Sequence, residues 1–554
     1  MEAKKSQSVK EKESKEEFTT GSGIPVKRIY TPEDIAGLDY NRDLGYSGEE
    51  PYTRGIYPTM YRGRPWTIRQ FSGLDSAEAT NRRYKMLYEM GTTGFAIAMD
   101  DASLNGFDPD SPEAEFEVGV GGVNVFSMRD MEEMFDGLPI DKISTAVIQI
   151  INTTCPHTAM YLAMAENRGM DLRKVNGTSE GDPCSYGGCF DPGVLPVRQV
   201  FRLCGDLVEW CATNAPKWHP VSFTSYNLRE AGVNAYQEIG GLIASAVAII
   251  EEVLRRDRGL GVDDFVPQFA FHLSAHNDFF EEIAKMRATR RMWSKLMTDR
   301  YKAKDPRTKM LKFHVQTAGS SLTYQQPLNN AVRAAYQALA AVLGGVQSLH
   351  VCSYDEAICT PTEESATLSV RTQQILQNET KVTNTIDPLA GSYFVESLTN
   401  EVEKRAWDFF HKIEERGGWI RVIETRWLRD QVINEEVCNY EDEIRRGERR
   451  VVGVNCHKME EKPGNITYFR PDPEIAKKLK EKAEKLKSER DSVKVEEALA
   501  ELREADEKGE NVMPAIMRAV KAYATLEEIT DITIRRYPFA GPSSLFYGLK
   551  GKRQ

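Results

Sequence analysis

The stretch from Tyr57 to Phe71 concentrates side chains that could bind a phosphorylated, partly aromatic ligand. It holds Arg62, Arg64 and Arg69, whose guanidinium groups stay charged and donate forked hydrogen bonds to phosphate or carboxylate. Hydroxyl and aromatic groups in the same stretch can contact an adenine or an acyl chain; they are Tyr57, Thr59, Tyr61, Trp66 and Thr67. An arginine-rich surface loop that leads into a strand is the simpler interpretation, and residue types alone leave both open.

The composition is that of a globular chain. Its 554 residues suffice for one large domain with appendages, and 41% of them are hydrophobic and 28% charged. The formal net charge of -11 argues against non-specific binding to nucleic acid. Nine cysteines do not make a disulfide scaffold, and the start of the chain has no apolar signal core, so we expect a cytoplasmic protein. The longest apolar run, around Leu242 to Ile250, is about half of a bilayer-spanning helix, so no membrane span is expected.

The periodicity of apolar residues predicts eight strands that alternate with helices. Runs rich in β-branched and aromatic residues predict strands at Trp66–Phe71, Phe95–Met99, Thr145–Ile150, Lys174–Thr178, Val221–Ser225, Phe265–Phe271, Leu311–Gln316 and Ser348–Ser353. Helical spacing is found between them at Thr158–Arg168, Leu195–Ala212, Glu238–Arg256, Asp278–Lys302 and Asn329–Leu343. This alternation favours a (β/α)8 TIM-type barrel over a doubly wound sheet. The doubly wound alternative lacks its glycine fingerprint, because Gly119-Val-Gly121-Gly122 has the wrong spacing and predicts a turn before a strand.

The barrel pattern is expected over residues 51–417, with a different composition on either side. Residues 1–50 are predicted to form an N-terminal arm, whose start, to about residue 20, is rich in Lys, Glu and Ser and predicted to be disordered. Residues 418–554 are predicted to form a C-terminal helical region, because Pro471 to about Ala505 is dominated by Glu, Lys, Leu and Ala at helical spacing.

Several motifs resemble, in one order, the large subunit of the methylmalonyl-CoA mutase family, a family of adenosylcobalamin-dependent acyl-CoA mutases. Besides Tyr57–Phe71 they are Pro216-Lys217-Trp218, Tyr226 with Glu230-Ala231-Gly232, His314-x-Gln316-Thr317-x-Gly319, Gln347-Ser348-Leu349-His350, Asp355-Glu356-Ala357 and Asp387-Pro388-x-x-Gly391-Ser392. The likeness covers about residues 50–455 and continues weakly to about 530. It implies a radical 1,2-rearrangement, in which the carbonyl-thioester group of an acyl-CoA migrates to the neighbouring carbon.

The resemblance also implies which residues bind CoA and the cofactor. Positions that match CoA-binding residues are Tyr57, Thr59, Met60, Arg64, Thr67 and Arg69, with Thr178, Lys312 and Gln316 deeper in the barrel. Positions on the cofactor side are Tyr226, Glu230, Gln316, Cys352 and Glu356. Tyr226 matches the tyrosine between substrate and corrin, while Gln316 and Glu356 match residues that hold the adenosyl ribose. Barrel enzymes place catalytic groups just past the C-terminal ends of the strands, and Phe71, Tyr226, His272, Gln316 and Cys352 are predicted to lie there.

Departures from the family pattern bear on the substrate. Asn227 replaces the family histidine that hydrogen-bonds the migrating carbonyl. An amide can donate a hydrogen bond but cannot supply a proton near neutral pH. A mechanism with full proton transfer would therefore need His272 or His314 as the proton donor. Phe71 and Phe190 stand where methylmalonyl-specific members have a Tyr and an Arg for the free carboxylate. Burying a carboxylate against two phenyl rings is costly, so we expect a substrate with an apolar acyl end, as in the isobutyryl-CoA mutase branch.

The family's cobalamin-binding motif, Asp-x-His-x-x-Gly, is not found, since none of the eight histidines has Asp two positions before it. The chain therefore resembles the large subunit of a split enzyme, whose small subunit would bring the cobalamin and its cobalt ligand, in a heterodimer or a dimer of heterodimers. Methylmalonyl-CoA mutase proper with a relocated carboxylate clamp is one alternative. A non-catalytic partner that binds CoA or the small subunit is another. Cys184 and Cys189 have no second pair or nearby His, so no metal site is predicted.

Overall fold

The computed structural model describes residues 13–14, 17–147, 153–182, 184, 196–460, 469–470 and 472–537. In this part of the chain nine strands form one sheet: β1 Thr67–Ser72, β2 Gly94–Ile97, β3 Ser144–Val147, β4 Gly177–Ser179, β5 Trp218–His219, β6 Ser222–Thr224, β7 Ala270–Ala275, β8 Phe313–Thr317 and β9 Ser348–His350. Their spatial order is β5-β4-β3-β2-β1-β9-β8-β7-β6, and neighbouring strands are parallel.

The two strands at the ends of this order are pieces of one barrel strand. Only Pro220 and Val221 separate β5 from β6 along the chain, and proline has no N–H to donate to a neighbouring strand. The β5 piece pairs with β4 and the β6 piece with β7, so this interrupted strand closes the ring. The predicted TIM-type (β/α)8 barrel is therefore confirmed.

Each predicted strand overlaps an observed one. The largest displacement is at β7, which begins at Ala270 because Val262–Phe265 and Val266–Gln268 are helical turns and Pro267 starts no strand. The Gly119-Val-Gly121-Gly122 segment forms the predicted turn, but only a single bridge, Val123 to Met99, follows it. A Cβ atom on Gly122 would lie 2.3 Å from the backbone of Met99, so only glycine allows this approach. The end of the predicted strand Thr145–Ile150 lies outside the described residues.

Helices surround the barrel. Their bounds are α1 Ala77–Glu89, α2 Asp101–Leu104, α3 Met128–Met134, α4 Thr154–Asn167, α5 Val197–Asn214, α6 Ser225–Glu230, α7 Ala235–Arg255, α8 Val262–Phe265, α9 Phe279–Asp299, α10 Pro306–Lys309, α11 Leu328–Leu343, α12 Glu363–Asn378, α13 Tyr393–Glu415, α14 Trp419–Glu424, α15 Asn434–Arg446, α16 Ile475–Glu489, α17 Ser492–Glu507, α18 Met513–Lys521 and α19 Leu526–Thr530. The five predicted helices correspond to α4, α5, α7, α9 and α11. Among the described residues, every helix is too short or too polar to cross a bilayer.

The segments on either side of the barrel pack against it. Near the N-terminus, the Gly21 amide donates to Asp278 Oδ2 (2.6 Å) and the Ser22 hydroxyl accepts from the Ala235 amide (3.0 Å), which ties this segment to the starts of α9 and α7. Helices α18 and α19 pack on α4, and their apolar residues belong to the same core as the barrel strands. Most of the predicted disordered start lies outside the described residues.

The axis of the barrel is not filled. Side chains that face it are partly accessible although their strand neighbours are buried; they include Thr67, Phe71, Ser144, Thr178, Ala270, His314 and Ser348. In most TIM barrels layers of branched side chains fill this space. These side chains therefore border space along the axis of the barrel.

Candidate functional site

The N-terminal mouth of the barrel presents aromatic and cationic groups. Tyr57, Thr59 and Arg64 are exposed just before β1 begins, while Met60 is buried. Tyr61 anchors the segment, because its hydroxyl donates to the Val346 carbonyl (2.8 Å) and its ring packs edge-on against Trp66. The mouth can therefore contact a phosphate and an adenine together.

Two further cations line the lower part of the axis. Arg69 donates to Ser144 Oγ (2.7 Å), Ser348 Oγ (3.1 Å) and the Phe95 carbonyl (2.8 Å), so its guanidinium joins several strands. Burial lowers the pKa of Arg69 to about 10, which leaves it charged at neutral pH. Lys312 Nζ donates to the Pro267 carbonyl (3.3 Å), and burial lowers the pKa of Lys312. These cations, with Thr67 and Thr178 on the same axis, suit an elongated anionic ligand.

Aromatic and imidazole rings surround the middle of the axis. The ring of Phe71 lies 4.7 Å from that of His350 and 5.9 Å from those of His272 and His314. Burial lowers the pKa of His314 well below its usual range and that of His350 to about 3, so both are neutral at pH 7. Phe71 and these two imidazoles therefore offer no positive charge to a carboxylate.

Tyr226 covers this ring cluster at the C-terminal end. It follows β6 as the second residue of α6, and its ring stacks on His272 with centroids 5.2 Å apart. Its hydroxyl accepts hydrogen bonds from Gln316 Nε2 (3.0 Å) and the Gly319 amide (3.3 Å), and Gln316 Nε2 also lies 3.4 Å from Cys352 Sγ. Burial raises the pKa of Tyr226 well above its usual value, so the hydroxyl stays protonated. The predicted cofactor-side residues Tyr226, Gln316 and Cys352 thus lie in contact.

Two carboxyl groups stand beside Tyr226. Glu230 accepts from the amide (2.5 Å) and hydroxyl (3.1 Å) of Ser320, and Glu356 lies near it, at the same end of the barrel. Both are half-buried, and loss of solvent raises the pKa of each to about 7. A Cβ on Gly319 would lie 3.1 Å from Tyr226 Oη and 3.2 Å from Glu230 Oε2, so the missing side chain leaves room between them.

Glu180 was not among the residues predicted from the sequence, and His350 was predicted only as part of a motif. Glu180 follows β4, and its Oε2 lies 3.7 Å from His272 Nδ1. Glu180 follows Thr178 by two residues, and alternate residues of a strand share a face, so this spacing could have placed Glu180 beside Thr178. His350 Nδ1 accepts from the Phe71 amide at 3.3 Å.

Other predicted positions fall beside the site or outside the described residues. Asn227 is partly exposed next to Tyr226 in α6. Phe190 and Cys189 lie outside the described residues, so the structure places only Phe71 of the phenyl pair. Cys184 is buried, and the described part of the chain contains no cluster of metal-ligating side chains.

Comparison with known proteins decides the family. The family model described as methylmalonyl-CoA mutase matches residues 19–537. The chain belongs to the methylmalonyl-CoA mutase family. It is 38% identical over 522 residues to the 2-hydroxyisobutanoyl-CoA mutase large subunit of Aquincola tertiaricarbonis, covering 94% of this chain and 92% of that one. It is 37% identical over 514 residues to the methylmalonyl-CoA mutase of Rhizobium meliloti, covering 92% and 71%. It is 34% identical over 513 residues to the mitochondrial methylmalonyl-CoA mutase of Homo sapiens, covering 92% and 67%.

Family membership confirms the resemblance drawn from the motifs and the class of reaction. The family is adenosylcobalamin-dependent, and these relatives are named as acyl-CoA mutases. The chain is therefore an isomerase of the intramolecular mutase type.

Proposed function

We propose that this chain is the acyl-CoA-binding large subunit of an adenosylcobalamin-dependent mutase whose substrate carries no carboxylate at its acyl end. The observation that supports it most is Phe71, packed against uncharged imidazoles where the open axis meets Tyr226. A carboxylate placed there would lose its hydration without gaining a cation. The reaction is a 1,2-migration of the thioester carbonyl group.

The open axis supports a path for CoA. The exposed Arg64 and Tyr57 at the N-terminal mouth suit the phosphates and the adenine, and Arg69 and Lys312 lie further along the same axis. Thr178 and Gln316 follow toward the C-terminal end. In this pose the acyl group reaches Phe71, beneath Tyr226, while Met60, Thr59 and Thr67 shape the entrance.

The C-terminal end fits the nucleoside part of adenosylcobalamin. Glu230 and Glu356 are carboxyl groups with a raised pKa, able to donate to or accept from ribose hydroxyls, and Gly319 leaves space between them. Gln316 and Cys352 complete the surface that would hold it. When bound, the cofactor supplies the radical chemistry of the rearrangement. The chain's own residues orient the acyl group against Tyr226, exclude water with stacked rings and hydrogen-bond the thioester through Asn227 or a neighbouring imidazole.

A separate small subunit is proposed to bring the cobalamin and its cobalt ligand. Support comes from the Aquincola relative, which is named as a large subunit and is covered over 92% of its length. The assembly would be a heterodimer or a dimer of heterodimers.

The alternative, a methylmalonyl-CoA mutase with a relocated clamp, is disfavoured by Glu180. Its carboxyl group stands 3.7 Å from His272, in the same pocket, and would repel a second carboxylate. If the chain has a non-catalytic role, no radical should form with any acyl-CoA, whereas the mutase proposal requires a radical.

The experiment combines the chain with its small subunit and adenosylcobalamin, and adds single acyl-CoAs with branched, linear, aromatic or dicarboxylic acyl groups. Electron paramagnetic resonance then records substrate-dependent paramagnetic cobalt. We expect a signal with an uncharged acyl-CoA and none with methylmalonyl-CoA. A signal confined to methylmalonyl-CoA contradicts the proposed substrate class, and no signal with any substrate, despite bound cobalamin, favours the non-catalytic role.

A further inference from the structure

Helix α11 is apolar on the side that faces solvent as well as on the side that faces the barrel. Its 16 residues include a single charged one, Arg333. This side chain turns aside to donate to the Val452 carbonyl (2.7 Å) and to Asn330 Oδ1 (2.7 Å). A surface helix of a globular protein normally carries charged and polar residues opposite its buried face. The composition of α11 is therefore that of a helix covered on both sides.

An apolar stripe runs along the exposed side of α11. Leu328, Val332 and Tyr336 follow one another at intervals of four residues, which places them on one face of the helix. They are 67%, 55% and 64% exposed, and Tyr324, just before the helix, is 61% exposed. Single exposed apolar residues are common on soluble proteins, whereas a contiguous apolar patch indicates a binding surface.

Helix α12 widens this patch. It packs beside α11, and on its other side Thr367 and Gln374 contact Met90, at the end of α1. Leu368 and Ile375 each follow one of those residues, so they lie about 100° further round the helix, on the flank toward α11. They are 41% and 46% exposed. The name α11–α12 face is used below for the surface formed by Tyr324, Leu328, Val332, Tyr336, Leu368 and Ile375.

We propose that the α11–α12 face is the interface between two copies of this chain, related by a two-fold axis. This interface adds to the proposed function and is independent of the acyl group of the substrate. Of the heterodimer and the dimer of heterodimers, it selects the second, held together through the two large subunits.

The size of the face is that of a dimer interface. A fully exposed aromatic side chain presents roughly 150–250 Å², so the two tyrosines present on the order of 250 Å² and the six side chains on the order of 600 Å². The largest apolar patch on a typical monomer measures about 300–600 Å², so this face is at the upper limit. With a surrounding polar rim it approaches the roughly 800 Å² that each partner buries in a stable complex.

The composition of the face suits a second copy. An interface formed by the same patch on both partners must be complementary to itself. A patch without charges meets this condition, because no like charges confront each other, and interface cores are depleted in charge and enriched in tyrosine. Glu364 and Arg371, both exposed on α12, border the face with opposite signs. Two antiparallel copies of α12 can therefore place each arginine beside the glutamate of the other copy.

The course of α11 separates this face from the docking site of a small subunit. The small subunit must reach Tyr226, Glu230 and Glu356 at the C-terminal end of the barrel. Helix α11 begins near that end, after β8, and returns toward the N-terminal end, because the next strand, β9, is parallel to β8. The helical rise puts Tyr336 about 12 Å from Leu328 along the side of the barrel. A partner bound at the C-terminal end would leave most of the stripe exposed.

The test is sedimentation velocity of the full chain at micromolar concentration. Val332→Glu introduces a charge into the face, and Val493→Glu is its matched control, because Val493 is 64% exposed near the start of α17, outside the face. The unmodified chain and Val493→Glu should sediment as a dimer, with twice the 62.6 kDa of one chain. Val332→Glu should sediment as a monomer, with a dimer dissociation constant raised at least about hundredfold, because the two-fold axis buries the new carboxylate twice.

A second variant and the small subunit make the outcome decisive. Leu328→Glu repeats the test one turn away, and both variants should keep the circular dichroism and the CoA affinity of the unmodified chain, because these side chains are exposed in the monomer. An unmodified chain that is monomeric, alone and with its small subunit, overturns the proposed interface. Dimers that persist in both variants overturn it as well. Variants that lose the small subunit but remain dimeric assign the face to that subunit instead. The mutase proposal stands or falls separately, on the paramagnetic resonance experiment.

Discussion

Replacing Lys285 with methionine tests the enclosed ion pair behind the site. Lys285 Nζ donates to Glu238 Oε2 (2.6 Å), to Glu282 Oε2 and to the Ser274 carbonyl (2.9 Å), and none of these three charged side chains is exposed at all. Glu238 also accepts from the Ser274 amide (2.9 Å) and the Ser225 hydroxyl (3.2 Å), which adjoin His272 and Tyr226. The pair therefore fixes the backbone that carries both rings.

The expected loss of stability follows from the complete burial of these charged side chains. Removing Lys285 leaves two fully buried carboxyl groups without their cation, which costs at least about 3–5 kcal/mol of the free energy of unfolding. Lys295, on the same helix α9, pairs with Glu403 at 2.7 Å but is 42% exposed, so Lys295→Met should cost less than about 1 kcal/mol. The double variant Glu238→Gln with Lys285→Met should recover part of the loss, because Glu238 no longer adds a buried carboxyl group without its cation, whereas Glu282 still does.

The assay is thermal unfolding by calorimetry, with the full chain at pH 7 and each variant measured at the same protein concentration. Lys285→Met should lower the melting temperature by several times the effect of Lys295→Met. Two outcomes would refute the argument that the buried charge dominates. One is an equal shift in melting temperature for Lys285→Met and Lys295→Met, and the other is a double variant that loses more stability than its two single variants together.

Three further predictions concern the axis and its C-terminal end. Arg69→Met should raise the KM for acyl-CoA about tenfold or more, since a cation on the CoA path is lost; steady-state kinetics with an unchanged KM would contradict this. Glu356→Gln should raise the melting temperature above pH 7 and have little effect at pH 4, because a carboxyl group whose pKa is raised to about 7 on folding costs stability as the pH rises from about 4.5 to 7; parallel pH profiles of the two proteins would exclude it. Gly319→Ala should weaken adenosylcobalamin binding in the complex while the affinity for CoA is kept, because the added methyl group meets Tyr226 and Glu230; equilibrium dialysis that shows unchanged cofactor binding would remove Gly319 from that site.

The barrel could be predicted from sequence because its strands are short apolar runs at regular separation. What the pattern did not show was the break at Pro220, since β5 and β6 together have the length of a single strand. The late start of β7 was missed for a related reason: Phe265 and Val266 are buried like strand residues, but they belong to helical turns that end with Gln268. A short apolar run indicates that a segment is buried, but it does not by itself distinguish a strand from a helical turn.

Residues of the candidate site that belong to sequence motifs could be predicted, whereas contacts between residues on different strands could not. Tyr226 and Gln316 were predicted from their motifs and Cys352 from its position in the family's adenosyl-binding region, and the structure brings the three into contact. The approach of Glu180 to His272 depends on the closure of the ring between β4 and β7, which no local pattern encodes. The neutrality of His314 and His350 likewise follows from burial, which the sequence does not give residue by residue.

The proposed rearrangement of an uncharged acyl group is tested most directly by following the migrating carbon. Isobutyryl-CoA and 2-hydroxyisobutyryl-CoA, each labelled with ¹³C at the thioester carbonyl, would be incubated separately with the chain, its small subunit and adenosylcobalamin, with labelled methylmalonyl-CoA run in parallel. Carbon NMR would report the neighbours of the labelled atom. The proposal predicts that the label moves to the adjacent carbon in at least one uncharged substrate and stays in place in methylmalonyl-CoA. Migration in methylmalonyl-CoA alone would contradict it.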